Sequence, residues 1–236
     1  MTNISVNDLQ PRERIAALVG VAITFIAPAY ISADNPGLSF GQLPAPAVIM
    51  INELAFWLVV FAIFGIVLAG ERYSLKSIGL NPPTWDAILL GALCVAPLLL
   101  LSLVTGGVLR AFGAPAQDSG QSVMVLTLPL WIQLFVAVTA GFTEEILFRG
   151  YAVERVTLLS GSRWFGAFVP CLLFGTMHAP FWGLAHAIVA GMTGFWLTLI
   201  YLWRRNLWVN ITAHVLLDGF LFIAVDVNAA GHGIFG

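Results

Sequence analysis

The sequence predicts an all-α, polytopic transmembrane helical bundle of about seven to eight membrane helices, and three observations carry that expectation. The chain has 236 residues, 59% hydrophobic, with a mean hydropathy of +0.93, whereas a soluble domain is about 45–50% apolar. Charged residues make up 9%, against about a quarter in a soluble domain. The apolar residues also fall into runs of the length that crosses a hydrocarbon core, about 20 residues, separated by short polar turns. A net charge of −2 without a basic stripe excludes a nucleic-acid partner. Cys94 and Cys171 both lie inside apolar runs, which marks them as packing residues and not as a disulfide or thiol metal site.

Residues 1–14 are polar and end in Arg12-Glu13-Arg14; they form a cytoplasmic N-terminal segment. The transmembrane domain fills 15–227, a Gly-rich tail covers 228–236, and neither a repeat nor a second domain is evident. The first span, 15–32, shares its basic flank and its Ala27-Pro28-Ala29 stretch with signal peptides. Its apolar run is longer than the 7–15 residues or so of such a core, so it is read as a span.

A loop with Asn35-Pro36-Gly37 leads to the second span, 47–70. Asn52 and Glu53 near its start are read as snorkelling to the interface. Residues 71–85 form a polar connector that ends at Pro82-Pro83, and the third span is 86–110, where Pro97 marks a potential kink. After a Gly/Ala/Pro/Ser loop at 111–121, the fourth helix starts at 123 or at Pro129 and continues towards Arg155. A short re-entrant segment around 126–132 would supply the eighth element. The fifth helix, 164–178, is ended by Pro180. The sixth, 182–203, carries Ala187/Gly191 and Ala190/Gly194, a small-residue spacing that permits close helix contact. Arg204-Arg205 closes it, and 206–227 is the seventh. With the N-terminus inside, seven crossings put eight of the ten basic residues on the cytoplasmic side, in a cell-membrane topology that follows the positive-inside rule.

Ionisable residues interrupt three of these helices. The first group is Thr143-Glu144-Glu145-Ile146-Leu147-Phe148-Arg149-Gly150. Glu145 and Arg149, four apart, share a helix face and can pair. Glu144 points about 100° away and has no local partner. Glu145 is thus read as structural and Glu144 as available. His178 ends Phe174-Gly175-Thr176-Met177-His178, and His214 and Asp218 share a face of the seventh helix.

Counting from the basic turns at about 1.5 Å per residue, Glu144, His178, His214 and Asp218 lie roughly 14–22 Å deep. In a core of about 30 Å they share a mid-membrane level. A carboxylate beside imidazoles in a low-dielectric pocket suits general-base activation of water, with the imidazoles positioning the water, binding a metal or donating to an oxyanion. Intramembrane carboxylate and histidine groups also serve proton relays, so a proton-coupled transporter is an alternative. His186 on the sixth helix belongs to no such group and is read as a packing or interface residue.

Glu144-Glu145-x-x-x-Arg149, Phe174-x-x-x-His178 and His214-x-x-x-Asp218, in this order on successive helices, resemble the three motifs of the CPBP intramembrane proteases. These are relatives of the type II CAAX prenyl endopeptidase, also called the Abi family. The resemblance covers about residues 125–222, the catalytic-motif core. It implies hydrolysis of a peptide bond within the membrane, on a membrane protein or a lipidated peptide. Carried over, Glu144 and His178 would activate water, His214 with Asp218 would hold the oxyanion, and Glu145 and Arg149 would support them. Because the family mechanism is debated between glutamate and metalloprotease types, zinc is an implied cofactor option, with Glu144, His178, His214 and Asp218 as its ligands. Some members are linked to bacteriocin immunity, so a non-catalytic, partner-binding role is a second alternative. The prenyl endopeptidases carry asparagine where this chain has Asp218. An amide donates to an oxyanion and an ionised carboxylate does not, which weakens the expectation of prenylated substrates more than that of proteolysis.

Overall fold

The apolar runs become helices nearly as long as their sequences require. The computed structural model describes residues 9–32, 43–114 and 125–229. The predicted loop at Asn35-Pro36-Gly37, much of the 111–121 loop and nearly all of the tail lie outside them. Seven helices of 15 residues or more follow one another: α1 (Pro11–Ser32), α2 (Ala45–Gly70), α3 (Trp85–Ala111), α4 (Leu130–Ser160), α5 (Arg163–Met177), α6 (Leu184–Arg204) and α7 (Leu207–Ala229). Six of them are long and apolar enough to cross a membrane, so the chain is a multi-pass helical membrane protein. The exception is α5, expected over 164–178 as a full crossing. Its 15 residues span about 22 Å at 1.5 Å per residue. It stops at His178 because Pro180 cannot continue its hydrogen bonding, and Pro180 instead opens the short turn Ala179–Trp182. At the start of the short segment expected around 126–132, Val125 and Leu126 are helical, and 115–124 before them lie outside the described residues. The described residues there form a turn, Leu128 N donating to Val125 O, before α4 starts behind Pro129.

Local chemistry sets the helix ends. Gly161 takes the left-handed conformation, φ 68°, that closes α4. At the next residue, the Ser162 hydroxyl caps α5 by accepting from Phe165 N. Pro97 lies inside α3 without ending it.

In lipid there is little hydrophobic drive between helices, so close packing by small residues holds the bundle. A Cβ on Gly91 of α3 would lie 2.5 Å from Val209 O of α7, and one on Gly141 of α4 would lie 2.4 Å from Val215 Cγ2. On the α5–α6 seam, a Cβ on Gly175 would meet Gly191 Cα at 3.0 Å. This is the close contact that the Ala187/Gly191 spacing predicts.

The basic residues gather at one end of the bundle. Arg155 pairs with Glu71 at 2.8 Å, and Tyr151 Oη donates to the same carboxylate. Arg205 pairs with Glu154 at 2.7 Å, alongside the Tyr201 hydroxyl. Arg12 donates to Ala69 O and Arg163 to Leu202 O. These bonds join the first turns of α1 and α5 to the last turns of α2 and α6. Arg110 sits on the far end of α3.

Candidate active site

Midway through α4 the helix widens. Residues Glu145–Ala152 adopt π geometry, and all eight are buried. Such widened turns are rare and concentrate at functional sites. The widening does not separate Glu145 from Arg149: Arg149 Nη1 donates to Glu145 Oε1 at 2.7 Å. Arg149 Nη2 reaches Gly194 O on α6, and the guanidinium lies 4.0 Å from the Phe174 ring centroid. Gly194 makes this approach feasible, since a Cβ there would lie 2.8 Å from Arg149 Nη2.

Glu145 has a further contact that spacing alone does not reveal. Its Oε1 also accepts from His214 Nδ1 at 2.8 Å, and its Oε2 accepts from Asn210 Nδ2 at 3.2 Å. The buried pair is therefore a joint between α4 and α7, and Glu145 holds the ring of His214. Asn210 lies one turn before His214 on the same face and was missed by sequence reasoning. The signal was present: Asn210, His214 and Asp218 repeat every four residues along a largely apolar stretch of helix.

The remaining ring nitrogens follow from these bonds. The His178 Nδ1 donates to Phe174 O at 2.7 Å, since a carbonyl can only accept. That leaves His178 Nε2 as the acceptor of the neutral ring. His214 Nε2 lies 3.4 Å from Asp218 Oδ2 and 3.9 Å from Glu144 Oε2.

Glu144, His178, His214 and Asp218 all line one cavity of about 350 Å³. Convergence, inferred in the sequence from depth alone, is thus present in the fold. Glu145 and Arg149 do not line it; they sit behind it, with Phe174 between Arg149 and the open space.

Two sequence expectations are corrected here. Glu53 does not snorkel to an interface: it lines the same cavity and accepts a hydrogen bond from Thr139 Oγ1 of α4. Reading outward from the start of α2 missed this because the cavity extends among the ends of α1, α2 and α7 opposite the basic residues, past Ile31, Ile49 and Phe222. His186 is not apart from the group either. It lines the cavity, and its ring lies between those of His178 and Trp182, with centroids at 5.9 and 5.0 Å.

Among the described residues no three His, Cys, Asp or Glu side chains are grouped to hold an ion. Both Nδ1 atoms bond to protein oxygens, an arrangement that leaves each Nε2 for a ligand, and His214 Nε2 faces Glu144 at 3.9 Å and Asp218 at 3.4 Å.

The chain is a multi-pass helical membrane protein with a glutamate, two histidines and an aspartate around one buried cavity, and ionisable groups at membrane depth mark a candidate functional site. Residues 126–220, the segment that carries all three motifs, match the family described as type II CAAX prenyl endopeptidase Rce1-like. Among curated proteins, the UPF0177 protein YvdC of Lactococcus lactis is 29% identical over 128 residues, 53% of this chain and 48% of that protein. The Bacillus subtilis protein YpbD, described as uncharacterized, is 32% identical over 88 residues, 36% of this chain and 41% of that protein. The chain thus spans about half or less of the length of the curated relatives it matches. No solved structure matches it.

Proposed function

We propose that this protein is an intramembrane endopeptidase that hydrolyses a peptide bond of a membrane-associated substrate with a Glu144-activated water. The observation that carries this reading is the division of labour within Glu144-Glu145. Both oxygens of Glu145 are taken by Arg149, His214 and Asn210. Glu144 faces the cavity, with His214 Nε2 3.9 Å away.

In this reading, water enters between the Glu144 carboxylate and the His178 Nε2 lone pair. Glu144 takes its proton as the oxygen attacks the substrate carbonyl. His214 donates from Nε2 to the developing oxyanion, in the form protonated at both nitrogens, steadied by Glu145 at Nδ1 and Asp218 beyond Nε2. Glu144 then returns the proton to the leaving amine. Phe148 and Phe174 exclude bulk water from this part of the cavity. The chain's own residues supply every proton transfer, and metal content remains a quantity to measure. The basic end of the bundle faces the cytoplasm, by the positive-inside rule.

Glu144→Gln keeps the shape and hydrogen bonding of the site. Its expected result is normal yield with turnover of a reporter membrane peptide reduced by about 10²–10⁴, the usual contribution of a general base. Full turnover by folded Glu144→Gln protein would remove the base assignment.

A further inference from the structure

Glu53 has no part in the hydrolysis just described, yet it lines the same cavity as Glu144. The bundle treats its acids in two ways. Glu71, Glu145 and Glu154 pack between helices, and each is held by an arginine: Arg155 at 2.8 Å, Arg149 at 2.7 Å and Arg205 at 2.7 Å. Glu53, Glu144 and Asp218 face the cavity, and no ion pair among the described residues gives any of them an arginine or lysine. Thr139 is Glu53's bonded side chain there, and Asp218 lies beside His214.

None of the chain's ten basic residues lines the cavity. Besides the three arginines just named, Arg12 and Arg163 are bonded to carbonyls at the basic end, and Arg110 bonds to Gly106 O on an exposed turn. The segments 33–42 and 115–124, which follow α1 and α3 in the chain, contain Asp34 and Asp118 and no lysine or arginine.

A carboxylate at membrane depth is costly without a partner. Here the protein provides arginines for the acids it seals away and sets His214 beside Glu144 and Asp218, whereas Glu53 is given the Thr139 hydroxyl and no ion pair among the described residues. We propose that this cavity selects a peptide segment bearing a lysine or arginine side chain, with Glu53 as the residue that pairs with it, and disfavours a free C-terminal carboxylate. The inference rests on the endopeptidase reading of the same cavity.

The carboxylate of a C-terminal tripeptide would sit only about 10 Å from the scissile bond. It would remain near three acids and no arginine or lysine, with His214 already facing Glu144 and Asp218, in surroundings where like charges are poorly screened. A substrate ammonium or guanidinium entering beside Glu53 would instead form a charge-assisted hydrogen bond out of water. The fitting substrate class is an internal peptide bond near a basic residue, or a chain whose terminus is blocked.

The test uses the full chain in lipid nanodiscs and single-span peptides of one sequence. Lysine or its uncharged isostere norleucine is scanned through the segment, with an amidated or a free C-terminus. Binding is measured on Glu144→Gln protein, so that affinity is read apart from turnover. At its best position lysine should bind at least about tenfold tighter than norleucine, the effect of one charge-assisted bond. Adding Glu53→Gln should shrink that preference to about twofold or less, and a free carboxylate should bind at least about tenfold weaker than the amide. Equal affinities for lysine and norleucine, tighter binding of the free carboxylate, or no binding of any peptide overturns the proposal. The lysine–norleucine comparison decides alone if Glu53→Gln does not fold. Selective binding without cleavage by the wild type would sink the endopeptidase reading and leave the selectivity standing. Indiscriminate cleavage of all four peptide types would do the reverse.

Discussion

Glu145 shows how much one buried carboxylate can hold. It accepts from an arginine on its own helix and from a histidine and an asparagine on α7. Glu145→Ala leaves Arg149 unpaired at 1% exposure, and breaking such a pair costs about 3–5 kcal/mol. The expected outcome for Glu145→Ala and Arg149→Ala is reduced yield of folded protein and a lower melting temperature in detergent. Wild-type thermal stability in either variant would show that the pair is not holding α4 to α7. The spacing of Glu145 and Arg149 made this pair legible in the sequence, whereas the bond to His214 was not, because it crosses 69 positions. Asp218 tests the other side of that ring. Its carboxylate is 3.4 Å from His214 Nε2, and in the proposed mechanism it steadies a ring that carries a proton there. Asp218→Asn should fold normally and lose about 10-fold or more in turnover, since charged hydrogen bonds are worth about 1.5–3 kcal/mol. Undiminished turnover would mean that Asp218 acts as a neutral donor, a role asparagine can fill.

The elements that carry the site are held at short range by glycines. Gly141 lies one turn before Glu145 on α4, and the atom it would first meet is Val215 Cγ2, one residue beyond His214. Gly141→Ala forces α4 and α7 apart and should cost about 1–3 kcal/mol as overpacking, with activity falling because Glu144 and His214 ride on the two helices. Val215→Ala removes the nearest obstructing atom, so the double variant should recover part of the loss. Strictly additive effects in a double-mutant cycle would show that the two residues do not touch. The π segment Glu145–Ala152 belongs to this scale too. Composition could not announce it, because a one-residue widening leaves the apolar pattern and the i,i+4 pair in place.

At the scale of the whole molecule, cavity and basic end lie on opposite sides of the site. The α1, α2 and α7 residues Ile31, Ile49 and Phe222 extend the cavity away from the end where Arg12, Arg155, Arg163 and Arg205 are bonded. In the proposed orientation, with that basic end cytoplasmic, the cavity would open towards the outer leaflet. Single-cysteine variants at Ser77 and Gly113, made in a background lacking Cys94 and Cys171, provide the check. Membrane-impermeant maleimide applied to intact cells should label position 113 and spare position 77. Labelling of position 77 from outside would invert the orientation and move the cavity mouth to the cytoplasm.

Two things were settled by local sequence. Helix number and order follow from runs of apolar residues long enough to cross a bilayer, since unpaired backbone groups are intolerable there and only helices or closed barrels satisfy them. The group Glu144, His178, His214 and Asp218 stood out because each is an ionisable interruption of such a run. What faces what was decided only by tertiary packing. Glu53 and His186 are equally ionisable, and nothing within their own helices distinguishes an interfacial carboxylate or a packing imidazole from one that turns into a cavity. Their places depend on how α2 and α6 lean against α4 and α5, and that is governed by contacts such as Glu53 with Thr139 and Gly175 with Gly191. Such contacts join residues far apart in the chain, where local periodicity carries no information.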